Sequence, residues 1–326
     1  MRAAVLQEAK GPDHIAIEEV PAPEANEHGL VIDVRSAGAS FPDLLMSKGE
    51  YQIKPEPPFT LGGEGAGRVV HAPDGSGFSV GERVAFLTLG AYAEQAVAPA
   101  MMTFPLPDEL DWNAGAALVI NYHTALFALR DRGGLSEGET VLIHGAAGGV
   151  GTAAIQVAKA YGARVLSVVS SDEKADVALV AGTDEVVFSG PEWRDRVKEL
   201  TDGKGVDMVL DPVGGERFTD SLRSLREGGR LLVVGFADGS IPEVKVNRLL
   251  LRNTSVVGVA WGAYVATRPA LAREIGNEVN ELARQGKIKP VIGEVFNFED
   301  AASALKSIDE RRATGKVVLK ISEDDS

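Results

Sequence analysis

Residues Val141-Leu142-Ile143-His144-Gly145-Ala146-Ala147-Gly148-Gly149-Val150-Gly151 turn an apolar strand directly into a helix through a glycine-rich corner. The following Thr152 to Tyr161 carries apolar residues at helical spacing, so the glycines open a helix. Gly148 lets the backbone approach an anion that a Cβ would block, and Gly151 lets the helix pack on its strand. The first N–H groups of the helix have no partner within it and suit phosphate oxygens. Ala146 stands where the dinucleotide fingerprint has its first glycine. Ala163 to Val169 then supplies a second strand, completing a βαβ unit of about thirty residues. Ala147, Gly148, Gly149 and Val150 are therefore the expected cradle of a dinucleotide pyrophosphate.

The chain has 326 residues, more than one usual domain, and 44% hydrophobic residues are enough for two cores. No apolar run approaches the roughly 20 residues that span a bilayer, and Arg2 to Leu6 already reads as a strand, so a soluble cytoplasmic protein is expected. The absence of cysteine removes disulfides, thiol nucleophiles and thiolate ligands. Redox chemistry must then come from a bound cofactor. A net charge of −14 opposes general attraction to nucleic acid or an anionic membrane. Glu323-Asp324-Asp325 reads as a solvated end.

Short strands punctuated by glycine and proline fill the first 120 residues: Ala3 to Leu6, Ile15 to Val20, Leu30 to Ala37, Gly65 to His71, Arg83 to Phe86 and Ala91 to Val97. From Trp112 helix alternates with strand, the strands being Val141 to His144, Arg164 to Val169, Glu185 to Phe188, Met208 to Leu210, Arg230 to Val234 and Ser255 to Val259. This alternation predicts a doubly wound parallel sheet, hence an α/β protein with a second, β-rich domain. A helix from about Arg268 to Gln285 and strands at Val291 to Phe296 and Val317 to Ile321 return to the first lobe. The expected domains are 1–120 with 268–326, and 121–267.

An NAD-binding fold usually ends its second strand in an acid that holds the ribose 2′-OH. Here the strand ends Val169-Ser170-Ser171, leaving room for a 2′-phosphate, with Lys174 one turn on to neutralise it. NADPH is therefore expected over NADH. Asp172 reads as an acid of the next helix's first turn.

Met1-Arg2-Ala3-Ala4-Val5, Asp43 with Gly49 and Tyr51, Leu61-Gly62-Gly63-Glu64-Gly65-Ala66-Gly67, Gly81-Glu82-Arg83-Val84, the glycine turn, Asp211-Pro212-Val213-Gly214-Gly215 and Arg312-Ala313-Thr314-Gly315-Lys316 follow one another along the chain. Together they resemble the zinc-free quinone oxidoreductase branch of the medium-chain dehydrogenase/reductase superfamily, nearly end to end. The resemblance implies a GroES-like catalytic domain, a Rossmann domain and an active site in the cleft between them. Ser40 occupies the position of the superfamily's cysteine zinc ligand and Gly63 that of its histidine, so catalytic zinc is not expected. The histidines at 14, 28, 71, 123 and 144 have no short metal spacing, and His144 reads as structural.

By the same resemblance Thr124 lies near the nicotinamide, with helix capping as its alternative role, and Ser40 replaces a usual asparagine. Gly235 and Phe236 border the nicotinamide half, Trp261 either faces substrate or packs, and Arg312 with Phe188 serves the adenine side, Phe188 standing where the family has tyrosine. Asp43 and Glu64 read as structural partners of backbone or arginine, and Asp211 as a helix cap or ligand contact. Tyr51 is the best candidate for chemistry, since a phenol orients a carbonyl oxygen or supplies a proton after hydride arrives. The implied activity is hydride transfer from NADPH to a quinone or similar activated acceptor. Two alternatives stay open: reduction of 2-enoyl thioesters, where the matching tyrosine is regarded as proton donor, and an NADPH-binding structural or sensory role with little turnover. Ser255 to Val259 reads as an apolar edge strand that pairs with its copy in a homodimer.

Overall fold

The computed structural model describes residues 1–24, 27 and 29–323; His28 and Asp324-Asp325, singled out above, lie outside them. The chain divides into two compact units, Met1–Ile120 with Arg268–Ser326, and Asn121–Thr267.

The first unit begins with β1 (Arg2–Leu6), β2 (Ile15–Glu19), β3 (Leu30–Ala39), β4 (Phe59–Thr60), β5 (Glu64–His71), β6 (Arg83–Leu87), β7 (Gln95–Ala98) and β8 (Thr103–Pro105). The second contains β9 (Thr140–Ile143), β10 (Arg164–Val169), β11 (Glu185–Phe188), β12 (Val206–Asp211), β13 (Leu225–Val233) and β14 (Ser255–Gly258). Two further strands, β15 (Ile292–Asn297) and β16 (Lys316–Lys320), return to the first unit.

In the first unit a small sheet runs β2-β1-β4 and a larger one runs β15-β16-β3-β5-β6-β8, with β7 also paired to β3. β3 is buried at nine of its ten positions because β5, β7 and β16 all pair with it. Its Leu30, Ile32 and Val34 join Leu6, Phe86, Tyr92, Phe298 and Leu319 in one core. The helix Pro269–Arg284 buries Ala272, Ile275, Gly276, Val279 and Ala283, one stripe at helical spacing. A Cβ on Gly276 would sit 2.2 Å from the Phe104 ring, so glycine lets this helix lie against β8.

The second unit is a six-stranded parallel sheet in the order β11-β10-β9-β12-β13-β14. Numbered within the unit this is 3-2-1-4-5-6, and β9 is the strand at which the order reverses. The helix Gly149–Ala160 is buried continuously from Gly151 to Ala158, which explains why its apolar residues run round the whole circumference.

The α/β reading of the sequence holds, with several boundaries moved. β13 starts at Leu225 rather than Arg230, because its first half is the polar stretch Arg226-Glu227-Gly228-Gly229. The run Ala91 to Val97 forms a strand only from Gln95, Ala93 making an isolated bridge to Ala3. The helix Phe41–Ser47 interrupts the β-rich stretch.

Candidate functional site

The candidate residues form two sets, one in each unit. In the second unit, β9 delivers the chain to Gly145, whose φ of +58° turns it back. A Cβ on Gly151 would lie 2.2 Å from the Gly145 carbonyl oxygen, so this glycine fixes the close packing of helix on turn. On Gly149 it would lie 2.5 Å from the Asn121 side-chain nitrogen. On Gly148 it would meet nothing nearer than Gly145 O at 3.4 Å, so the protein leaves that approach open. Gly148 caps the helix, and the first intrahelical bond runs from Thr152 N to Gly148 O at 2.9 Å. The amides of Gly149, Val150 and Gly151 precede it and have no acceptor within the helix. Ala147, Gly148, Gly149 and Val150 thus form a cradle at the carboxyl end of the switch strand, which fits a dinucleotide phosphate.

Neighbouring strand ends complete this set. Val169 and Phe188 are in register where β10 and β11 finish, and Phe188 is 50% exposed. Ser170 is exposed, while Ser171 caps the helix Asp172–Val180 by accepting the Lys174 N–H at 3.3 Å. Asp172 lies in that helix's first turn. Beyond β13, Gly235 and Phe236 are half-buried, and a Cβ on Gly214 would stand 3.0 Å from the Phe236 ring. Asp211 does not cap a helix: its Oδ1 accepts the N–H groups of Val213 and Gly214, both at 2.9 Å, folding its own turn.

Thr124 is half-buried and does not cap a helix, since His123 before it already has helical backbone angles of −66° and −38°. His123 is buried against Trp261, ring centroids 5.2 Å apart and perpendicular, which makes packing the structural role of Trp261. Burial lowers the His123 pKa to about 3, holding the ring neutral. His144 is likewise structural: Ser221 donates its hydroxyl proton to Arg217 O at 3.0 Å, so His144 Nε2–H donates to Ser221 Oγ at 2.8 Å.

In the first unit, Ser40 caps the helix Phe41–Ser47 in a reciprocal box with Asp43. Its N–H and its hydroxyl both donate to Asp43 Oδ2, at 2.9 and 2.5 Å. Asp43 Oδ1 is buried with no hydrogen-bond partner among the described residues, and a Cβ on Gly63 would come within 3.3 Å of it. Burial raises the Asp43 pKa against the pull of Ser40 and of the Lys316 charge. Glu64 is buried too, accepting the Ile120 N–H at 2.7 Å and pairing with Lys316 Nζ. Both carboxylates are structural, with lysine rather than arginine as the cation. Gly38 makes the pair possible, because a Cβ there would lie 2.6 Å from Lys316 Cε and 2.9 Å from Glu64 Cγ. Tyr51 is half-buried, and burial followed by the Asp43 charge raises its pKa, so the phenol keeps its proton at neutral pH. Arg312 belongs to this unit and its guanidinium is held by Glu310 at 2.7 Å.

Neither Ser40 nor Gly63 offers a thiolate or imidazole, and among the described residues no group of three or more His, Cys, Asp or Glu side chains converges as a metal site. Asn121 beside Gly149, and Tyr122, which donates to Gln156 Oε1 at 2.8 Å, are site neighbours that no sequence motif announced. No helix of the described residues is long and apolar enough to cross a membrane.

The signature of the alcohol dehydrogenase GroES-like domain matches residues 26–108, and that of the zinc-binding dehydrogenase family matches residues 149–277. With the fold, these define a medium-chain dehydrogenase/reductase. The chain belongs to the quinone oxidoreductase branch of that superfamily. It is 37% identical over 325 residues to quinone oxidoreductase-like protein 2 of Bos taurus, covering 98% of this chain and 92% of that protein. A probable oxidoreductase of Mycobacterium abscessus superimposes with a TM-score of 0.91 at 42% identity, covering 98% and 99% of the two chains. The quinone oxidoreductase of Thermus thermophilus, also solved in complex with NADPH, gives a TM-score of 0.84 at 36% identity over 98% and 100%.

Proposed function

We propose that this oxidoreductase is a cytoplasmic, zinc-independent enzyme that uses NADPH to reduce a quinone or similarly activated acceptor. The observation that carries this reading is the open glycine cradle at the switch strand, beside a strand end of Ser170 and Ser171 where an NAD enzyme has an acid. NADPH supplies the hydride when bound. Ala147 to Val150 hold the pyrophosphate, Ser170, Ser171 and Lys174 the 2′-phosphate, and Phe188 the adenine side with Arg312. Gly235, Phe236 and Thr124 border the nicotinamide. Tyr51, protonated at neutral pH, orients the acceptor oxygen. Ser40, whose hydroxyl proton goes to Asp43, holds the helix start and has only oxygen lone pairs left to offer.

The test mixes the protein with NADPH or NADH and offers 1,4-benzoquinone, 9,10-phenanthrenequinone and crotonyl-CoA in turn while following the reduced nicotinamide. Rapid NADPH loss with a quinone is expected. Preference for crotonyl-CoA would move the protein to the enoyl reductases, and binding without turnover to a sensory role. Lys174→Ala should lower the preference for NADPH over NADH about tenfold, the worth of one charge-assisted hydrogen bond. An unchanged ratio of the two kcat/KM values removes the lysine from the site.

We also propose a homodimer joined through β14. This strand ends the six-stranded sheet, and the exposed Ile241, Val246, Leu250 and Leu251 cluster just before it in sequence. Light scattering after size exclusion should give twice the chain mass, and Leu250→Asp with Leu251→Asp should yield monomer. A wild-type monomer at micromolar concentration would rule the dimer out.

A further inference from the structure

In a parallel sheet all strand starts lie at the edge opposite the glycine turn. At that edge, where β12 and β13 begin, the second unit has a concavity of about 280 Å³. Its wall carries five cations, Arg194, Lys198, Lys204, Arg223 and Arg252. Asp220 is shared by Arg194 at 3.3 Å and Arg223 at 3.0 Å, and Asp195 stands 3.9 Å from Arg194. Among the described residues Lys198, Lys204 and Arg252 make no ion pair; Arg252 donates only to the Arg223 carbonyl oxygen, at 3.4 Å. Five positive charges thus share the wall of one hollow with a single acid, Asp195, while Asp220 pairs with two of them and Glu199 and Asp202 line the adjoining surface beside Lys198, in a chain whose net charge is −14.

Helix ends account for part of this. Lys198, Arg223 and Arg252 occupy the last turns of the helices Trp193–Leu200, Phe218–Ser224 and Asn247–Arg252, where a cation offsets the negative end of the dipole. That explains each residue singly. It does not explain why the three ends meet at one hollow, nor Lys204, which lies outside any helix. Like charges gathered this way repel one another, and an anion seated among them relieves the repulsion. Arginine presents a fork suited to phosphate oxygens, and lysine a mobile point charge. The volume lies at the low end of small-ligand pockets, enough for a phosphate chain and too small for a whole dinucleotide.

We propose that this concavity, on the edge of the sheet away from the glycine turn, binds a small polyphosphate anion. Lys198, Lys204 and Arg252 supply the uncommitted charge, and Arg194 and Arg223 the forks that Asp220 orients. Because the wall is exposed, binding weakens as salt is raised.

Isothermal titration calorimetry of the full chain at low salt, with NADPH present in excess, tests this with sodium tripolyphosphate and, separately, ATP. The expected result is one site per chain, at least tenfold weaker in Lys198→Glu/Lys204→Glu and in Arg252→Gln, with NADPH affinity and the melting midpoint unchanged. Equal affinity for the two ligands identifies a bare phosphate chain as the target, and tighter ATP binding a nucleotide. No heat at millimolar ligand overturns the proposal. So does binding that charge reversal leaves intact, that NADPH displaces, or that a polyglutamate peptide matches.

Discussion

Lys316→Met will destabilise the protein by about 3–5 kcal/mol, because it strands Glu64 as a buried and uncompensated charge. That is a large share of the roughly 5–15 kcal/mol that holds an ordinary domain together. Burial raises the Glu64 pKa above 4.5, and the Lys316 charge is the strongest influence drawing it back. Without the lysine it rises further. The lysine helps only the ionised acid, so the deficit of the variant is smallest where Glu64 is protonated and grows as pH climbs through the raised range. Urea unfolding of both proteins at about pH 5 and about pH 8 should show the gap widening with pH. Adding Glu64→Gln to the variant should recover most of the loss, since an absent pair costs far less than a broken one. A single variant as stable as the wild type would mean that the pair is not buried as described.

Gly151→Val will disrupt the cofactor turn more than any exchange of a polar group there. Even a Cβ stands 2.2 Å from Gly145 O and 2.7 Å from Ala146 Cα, both backbone atoms that no side-chain rotation can clear. The helix start must move by about 1 Å, a displacement that costs on the order of 100-fold in turnover when it misaligns a bound reactant. Overpacking of this kind also removes about 1–3 kcal/mol of stability. Gly148→Ala is the informative partner. Its Cβ meets no protein atom closer than 3.4 Å, so the fold should melt at the wild-type temperature while NADPH binding weakens. If Gly148→Ala binds NADPH normally, the phosphate does not approach there.

The glycine turn was legible because its requirements are local: a buried strand, a positive φ at Gly145 and a helix packed through Gly151 lie within eleven residues. The parallel sheet was legible for a related reason, since strands covered on both faces read as unbroken apolar runs. β4 and β8, of two and three residues, are too short to carry any period, and the polar half of β13 conceals a strand that its neighbours enforce. Long-range partners left no signal at all. Glu64 and Lys316 are 252 positions apart, and nothing near either one announces the other. Ser40 was legible as a polar residue at a ligand position, but its commitment to Asp43 depends on a helix that the strand-rich reading passed over.

The first unit is split in sequence, and this sets an order of assembly on the ribosome. β3 can pair with β5 and β7 early, yet its other neighbour, β16, is nearly three hundred residues further along. The contiguous second unit can close as it emerges, whereas the larger sheet of the first must wait with residues 36–39 of β3 unpaired on the side that β7 covers only at residues 30–33, an opening for wrong pairing. Its last strand also carries Lys316, so the segment that finishes the sheet brings the charge that Glu64 has been waiting for. Until that moment Glu64 can remain protonated or wet, and completion of the sheet and ionisation of its buried acid become a single late event.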